Sequence, residues 1–61
     1  MNKIKEIIMK RDNLTSKDAD ELILEAIDQL NEYLFEEELD LANNVCEEFF
    51  GLEPDYLFEL L

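Results

Sequence analysis

SKDADELILEAIDQLNEYLF, residues 16–35, carries apolar side chains at Ala19, Leu22, Ile23, Ala26, Ile27, Leu30, Tyr33 and Leu34. Steps of three and four put them on one face of an α-helix, about five turns and near 30 Å long at 1.5 Å per residue. Leu24 falls off that face, which leaves it exposed or in a contact between chains. On the other side, Asp18, Glu21, Glu25, Asp28, Glu32 and Glu36 step by three, four, three, four and four. One long amphipathic helix with an acidic edge is the backbone of the expected fold.

Working outward, Thr15 and Asp18 have the form of a capping box, with Asp in the place of the usual Glu. Asp18, Asp20 and Glu21 also complement the positive end of the helix. Asp12-Asn13-Leu14-Thr15 reads as a break. Before it, Ile4, Ile7 and Ile8 at helical spacing predict a short first helix over residues 3–12, with Met9 on its apolar edge. Downstream, Phe35-Glu36-Glu37-Glu38-Leu39-Asp40 interrupts the periodicity and predicts a bend. A third helix then runs from about 38 or 40 to 50 through Leu39, Ala42, Val45, Cys46, Phe49 and Phe50. Gly51 suits the left-handed position just past its end. Pro54 opens a last short helix, where its missing N–H costs nothing, and Tyr56, Leu57, Phe58, Leu60 and Leu61 make that helix densely apolar. One Gly and one Pro are too few turn signals for a β-rich fold. The expected architecture is all-α: three main helices and a short C-terminal one in a small bundle, a single acidic domain over residues 1–61.

Sixty-one residues bury only roughly 60% of the surface that the unfolded chain exposes, so the core is marginal. Chains this small rely on staples or self-association. Cys46 is the only cysteine and there is no His, so neither an intramolecular disulfide nor a Cys/His zinc site can form. Self-association, as a homodimer, is the expectation that remains. The 48% apolar content is too high for a disordered acidic tail. No apolar run exceeds three residues, which predicts no membrane span, and no apolar stretch follows the N-terminal lysines to make a signal peptide. A folded cytoplasmic protein is expected.

Charge is distributed unevenly. All five basic residues, Lys3, Lys5, Lys10, Arg11 and Lys17, lie in the first 17 positions. Of seventeen acids only Glu6 and Asp12 lie there, so fifteen fall in residues 18–61 with no base among them. That field repels nucleic acid and anionic membrane and favours a basic partner surface. Like charges three and four residues apart destabilise a helix by a few tenths of a kcal/mol per pair, and an ordinary solvated face mixes both signs. The row, with its charges roughly 5 Å apart along the axis, instead imitates one strand of nucleic acid, which carries a charge every ~3.4 Å. Glu37, Glu38, Asp40, Glu47 and Glu48 extend the expected partner-binding set as a second row. The N-terminal bases are expected to lie across the carboxylates and relieve their repulsion. The competing reading of the acids is a solvated face that serves solubility.

Other chemistry fits poorly. Carboxylates suit hard cations, but the alternating Asp/Asn loop with a central Gly and a final Glu is absent. Cys46 has no base to activate it, acids flank it at Glu47 and Glu48, and it reads as a small buried hydrophobe. No catalytic residue and no cofactor are expected, and the chain is not read as an enzyme. Phe49, Phe50, Tyr56 and Phe58 read as core and dimer seam, or as apolar anchors inside an acidic rim.

The Lys3-Ile4-Lys5-Glu6-Ile7-Ile8 opening resembles small acidic proteins encoded by phages and mobile elements. So do the Leu14-Thr15-Ser16-Lys17-Asp18-Ala19-Asp20-Glu21-Leu22 stretch and the Gly51-Leu52-Glu53-Pro54-Asp55-Tyr56-Leu57-Phe58 ending. In size and acidity the chain is similar to anti-CRISPR and anti-restriction proteins, some of which imitate DNA. The resemblance implies an inhibitor of a host defence nuclease and transfers no individual residue. The functional expectation is a phage- or mobile-element-encoded inhibitor that binds a basic, nucleic-acid-binding protein, a CRISPR effector or a restriction enzyme, through the carboxylate row. It would touch neither nucleic acid nor membrane directly. Two other classes stand beside it: an adaptor that binds through its aromatic, Leu-rich C-terminal end, and a cation-binding helical protein.

Overall fold

A computed structural model describes residues 3–60. Helix α1 spans Lys3–Arg11, α2 Ser16–Phe35, α3 Leu39–Asn43 and α4 Val45–Phe50, and a 3₁₀ segment spans Pro54–Glu59. No strand occurs among the described residues, so the chain is all-α. None of these helices is long and apolar enough to cross a membrane. Leu61, expected in the apolar C-terminal end, lies outside the described residues.

The first helix forms because Ile4 and Ile8, one turn apart, are both fully buried. Glu6 in its first turn and Lys10 and Arg11 in its last follow the helix dipole. It stops at Asn13, whose φ of 55° is left-handed, a conformation that Asn tolerates better than most residues. The Leu14 N–H then reaches back to the Met9 carbonyl at 3.1 Å, closing a Schellman turn. Thr15 caps α2 as expected: its backbone is extended and its hydroxyl oxygen accepts the Asp18 N–H at 3.1 Å.

α2 organises the rest. At about 1.5 Å per residue its length is near 30 Å, and the long dimension of the molecule is 33 Å. It packs against α1, α3 and α4, while the 3₁₀ segment closes over α1 and α4. Ala19, Ile23, Ala26 and Leu30 form its buried stripe. With Ala42 they meet Val45, Cys46, Phe50, Leu60, Ile4 and Ile8 in one core. Alanines at three of these positions leave no bulk between helix backbones, which lets short helices approach closely.

Two expectations are corrected here. The third helix is divided at Asn44: the Asn44 N–H bonds the Leu41 carbonyl at 3.1 Å, and α4 restarts with Glu48 N–H to Asn44 carbonyl at 2.9 Å. Leu39, expected on its apolar face, is 61% exposed, because α3 is five residues long and buries only Ala42. Gly51 does end α4 in the left-handed region at φ 65°, with its N–H on the Glu47 carbonyl at 3.0 Å. A methyl there would find Arg11 Nη1 at 3.7 Å, an ordinary contact. Conformation, and not space, selects glycine.

The bend after α2 is a full Schellman turn centred on an unusual residue. Glu37 has φ 60°. Its N–H bonds the Leu34 carbonyl at 3.2 Å and the Glu38 N–H bonds Tyr33 at 2.8 Å. A left-handed L-residue costs about 1–2 kcal/mol that glycine avoids. Glu37→Gly is therefore expected to stabilise the chain by about 1 kcal/mol, read as a higher urea midpoint at unchanged slope. Phe50→Ala, at 1% exposure, should lose about 3–5 kcal/mol. At ~0.05–0.15 kcal/mol per residue that is most of the stability of a chain this size, so circular dichroism should show this variant largely unfolded.

Candidate functional site: the acidic edge of α2

All six carboxylates of the α2 row, Asp18, Glu21, Glu25, Asp28, Glu32 and Glu36, are exposed. At about 100° per residue they fall within an arc of about 80°, centred about 145° from the buried stripe. The same periodicity that turns Ala19, Ile23, Ala26 and Leu30 inward thus fixes the row outward. Asp18, Glu21 and Glu25 line an open depression whose floor includes Leu14 and Leu22. Glu36 caps the C-terminus of α2, its N–H on the Glu32 carbonyl at 3.1 Å. No basic residue occupies the last turn of α2. Glu32 and Glu36 therefore sit at the negative end of the helix dipole, where each acid is disfavoured by about 0.3–1 kcal/mol at low ionic strength.

The two bases in ion pairs reach other acids than the row. Lys5 reaches over from α1 to Asp20, Nζ to Oδ1 at 3.0 Å, on the side of α2 that α1 covers. Arg11 donates through Nε and Nη2 to the two oxygens of its neighbour Asp12, at 3.1 and 2.9 Å. That fork holds the Asp12 carboxyl below its usual range. Among the described residues these are the salt bridges, and neither involves a member of the row.

The second set of acids is spread over more than the one helix expected to carry it. Glu37 and Glu38 lie in the turn, Asp40 on α3, and Glu47 and Glu48 on α4, so three separate pieces of backbone carry them. Glu48 is engaged: its Oε2 accepts the Tyr33 hydroxyl at 3.3 Å, joining α4 to α2. Partial burial of Tyr33, and then the negative charges of Glu48, Glu38 and Glu32, push its phenol above its ordinary value. Of the aromatic set, Phe50 is core, Phe49 and Tyr56 are half-buried, and Phe58 is 81% exposed. Phe49 and Phe50 stack at a tilt, with centroids 6.4 Å apart. Cys46 is fully buried, and desolvation pushes its thiol up. Among the described residues no three His, Cys, Asp or Glu side chains are grouped to hold a metal ion.

Sequence reasoning missed one feature. Leu34, expected on the apolar face of α2, is 41% exposed, and Phe35 (88%), Leu39 and Leu41 are exposed on either side of the α2–α3 turn. The available signal was the position of Phe35, which breaks the spacing of the α2 stripe.

Two measurements follow. With the row unpaired, added NaCl should raise the melting temperature near neutral pH by screening like charges. The Tyr33 phenol, raised in the folded state, contributes stability that is intact below the unfolded value of about 10 and is lost as pH rises through the folded value. Melting temperature should therefore fall above about pH 10, and more shallowly for Tyr33→Phe, as thermal melts across that range will show.

No family model, no curated protein and no solved structure matches the chain.

Proposed function

We propose that the chain is a binder of basic protein surfaces whose α2 row occupies the nucleic-acid-binding groove of its partner. The observation that carries this reading is the row itself: six exposed carboxylates along one edge of a rigid helix, none in an ion pair among the described residues. Placing acids at the wrong end of a helix dipole and leaving them unneutralised opposes stability. Local rules are broken in this way where function asks for it. A groove lined with Lys and Arg would exchange phosphates for the row and lose its counterion-release gain from nucleic acid. Together with the resemblance in size and acidity, this supports a phage- or mobile-element-encoded inhibitor acting in the host cytoplasm, with a CRISPR effector or restriction enzyme as the first target to try.

The adaptor reading is favoured by one observation. Phe58 stands exposed beside Lys3, Asp55, Tyr56 and Glu59, a ring available to a partner or to a second copy in a homodimer.

The two readings separate by substitution. Glu21→Gln, Glu25→Gln, Asp28→Asn and Glu32→Gln together should leave the circular dichroism spectrum intact. They should also abolish salt-sensitive capture of basic nucleic-acid-binding proteins from a bacterial lysate, and competing DNA should displace those proteins from the unsubstituted chain. Capture that survives all four changes and high salt, but is lost in Phe58→Ala, would replace the inhibitor with the adaptor. Glu25→Lys should both weaken capture and stabilise the helix by about 0.5 kcal/mol, since it turns a repulsive pair with Glu21 into an attractive one.

A further inference from the structure

Residues 16–50 contain no Gly and no Pro, yet the chain turns back after α2 so that α3 and α4 can pack on it. Residues 36–38, all glutamate, make that reversal. They are poorly suited to it. Glutamate is a good helix former, whereas Glu37 is held at φ 60°, a conformation that L-residues avoid. The three acids also crowd the negative end of the α2 dipole, and no base stands in its last turn. Leu34 and Leu41, on either side of the hinge, are left exposed. A short hinge under strain invites exchange between copies.

Continuing α2 straight through the hinge removes each of these costs. In the closed chain the Glu37 and Glu38 N–H groups bond the Leu34 and Tyr33 carbonyls at 3.2 and 2.8 Å. Straightening only exchanges these two acceptors, which turns both bonds into i to i−4 helical ones. Glu37 returns to the right-handed region, and the glutamates leave the helix end. At about 100° per residue Ile23, Ile27, Leu30, Leu34 and Leu41 fall within about 60°, so the apolar stripe resumes in phase beyond the hinge. Leu34 and Leu41, now on separate helices, would stand two turns apart on one face.

Straightening also carries Ala42, Val45, Cys46 and Phe50 away from their own α2 stripe. A single opened chain would bare its core. A second copy opened in the same way supplies the missing surface residue for residue, because its stripe is the one those side chains already fit.

We propose that the chain exchanges its C-terminal half with a second copy to form a domain-swapped homodimer. Residues 36–38 straighten, α2 and α3 become one helix, and α3, α4 and the 3₁₀ segment of each copy pack on α1 and α2 of the other. Each half keeps the core of the closed chain, so the exchange is driven by relief of the two hinges. The net charge of −12 on each copy opposes it, and salt screens that repulsion. The inference is independent of what the carboxylate row binds.

The test mixes isotope-labelled and unlabelled chain in urea and refolds them together at about 1 mM chain in about 0.5 M NaCl, where screening is strong. Sedimentation equilibrium should show a dimer whose dissociation constant rises as salt is lowered. Isotope-filtered NOEs should join α2 side chains of labelled copies to α4 side chains of unlabelled ones. Glu37→Gly relieves the closed turn, and because each dimer opens two hinges it should raise the dissociation constant tenfold or more. Glu37→Ala relieves nothing in the closed turn and should leave the dimer intact. A monomer under these conditions would overturn the proposal. So would a dimer whose α2–α4 NOEs stay within one chain, as one joined through Phe58 would show, or a dissociation constant that Glu37→Gly does not move.

Discussion

Burial of one stripe on α2 holds the molecule together. Ala19, Ile23, Ala26 and Leu30 are the surface on which α1, α3 and α4 converge. None of those partners could persist alone: helices of five, six and nine residues fall below the length at which isolated helices survive in water. Their order comes from the contact and not from propensity. Ala42, Val45, Cys46 and Phe50 are held against α2, and the 3₁₀ segment is held in turn by α1 and α4. A long, rigid, centrally clamped helix follows, and its free edge is the one that carries the acids.

That arrangement sets two demands on the same helix against each other. The inner stripe favours helix formation, while the outer row opposes it through repulsion at every turn and through acids at the C-terminal end. Two of the five bases are drawn to other acids, Lys5 to Asp20 and Arg11 to Asp12. Geometry explains the diversion. α1 packs on α2 with Lys5 toward Asp20, which lies outside the row's arc, and the Asp12 carboxylate is the immediate neighbour of Arg11. Repulsion along the row is left for salt to screen, so the stability that the buried stripe provides depends on ionic strength.

Much of this was legible in the residues. The α2 stripe, the Thr15 cap, the break at residues 12–15, the left-handed Gly51 and the Pro54 start depend on local chemistry, and local chemistry is what a sequence states directly. The division at Asn44 was not legible, because Ala42, Val45, Cys46, Phe49 and Phe50 continue a helical spacing through it and only tertiary contact with α2 sets the break. Leu39 illustrates the same limit: its spacing predicts burial, but α3 is too short to bury more than Ala42. For the candidate site, the row on α2 could be read because one helix carries it. The second row could not, because its members sit on three backbone pieces whose mutual orientation is a tertiary property. Glu37 could be placed in a bend, but nothing in its side chain announces a left-handed backbone.

The lone cysteine has a consequence of another kind. Cys46 lies at the centre of the core with no exposed surface, on a helix whose only support is α2 and the elements packed with it. Reaching it requires α4 to part from α2 or from the elements packed on it. In the folded state the thiol is hidden from oxidants and from other thiols, whereas every unfolded copy presents it fully. In an oxidising medium, unfolded copies would therefore pair through disulfides while folded ones stayed single. The chain carries an internal covalent record of which molecules have lost their structure.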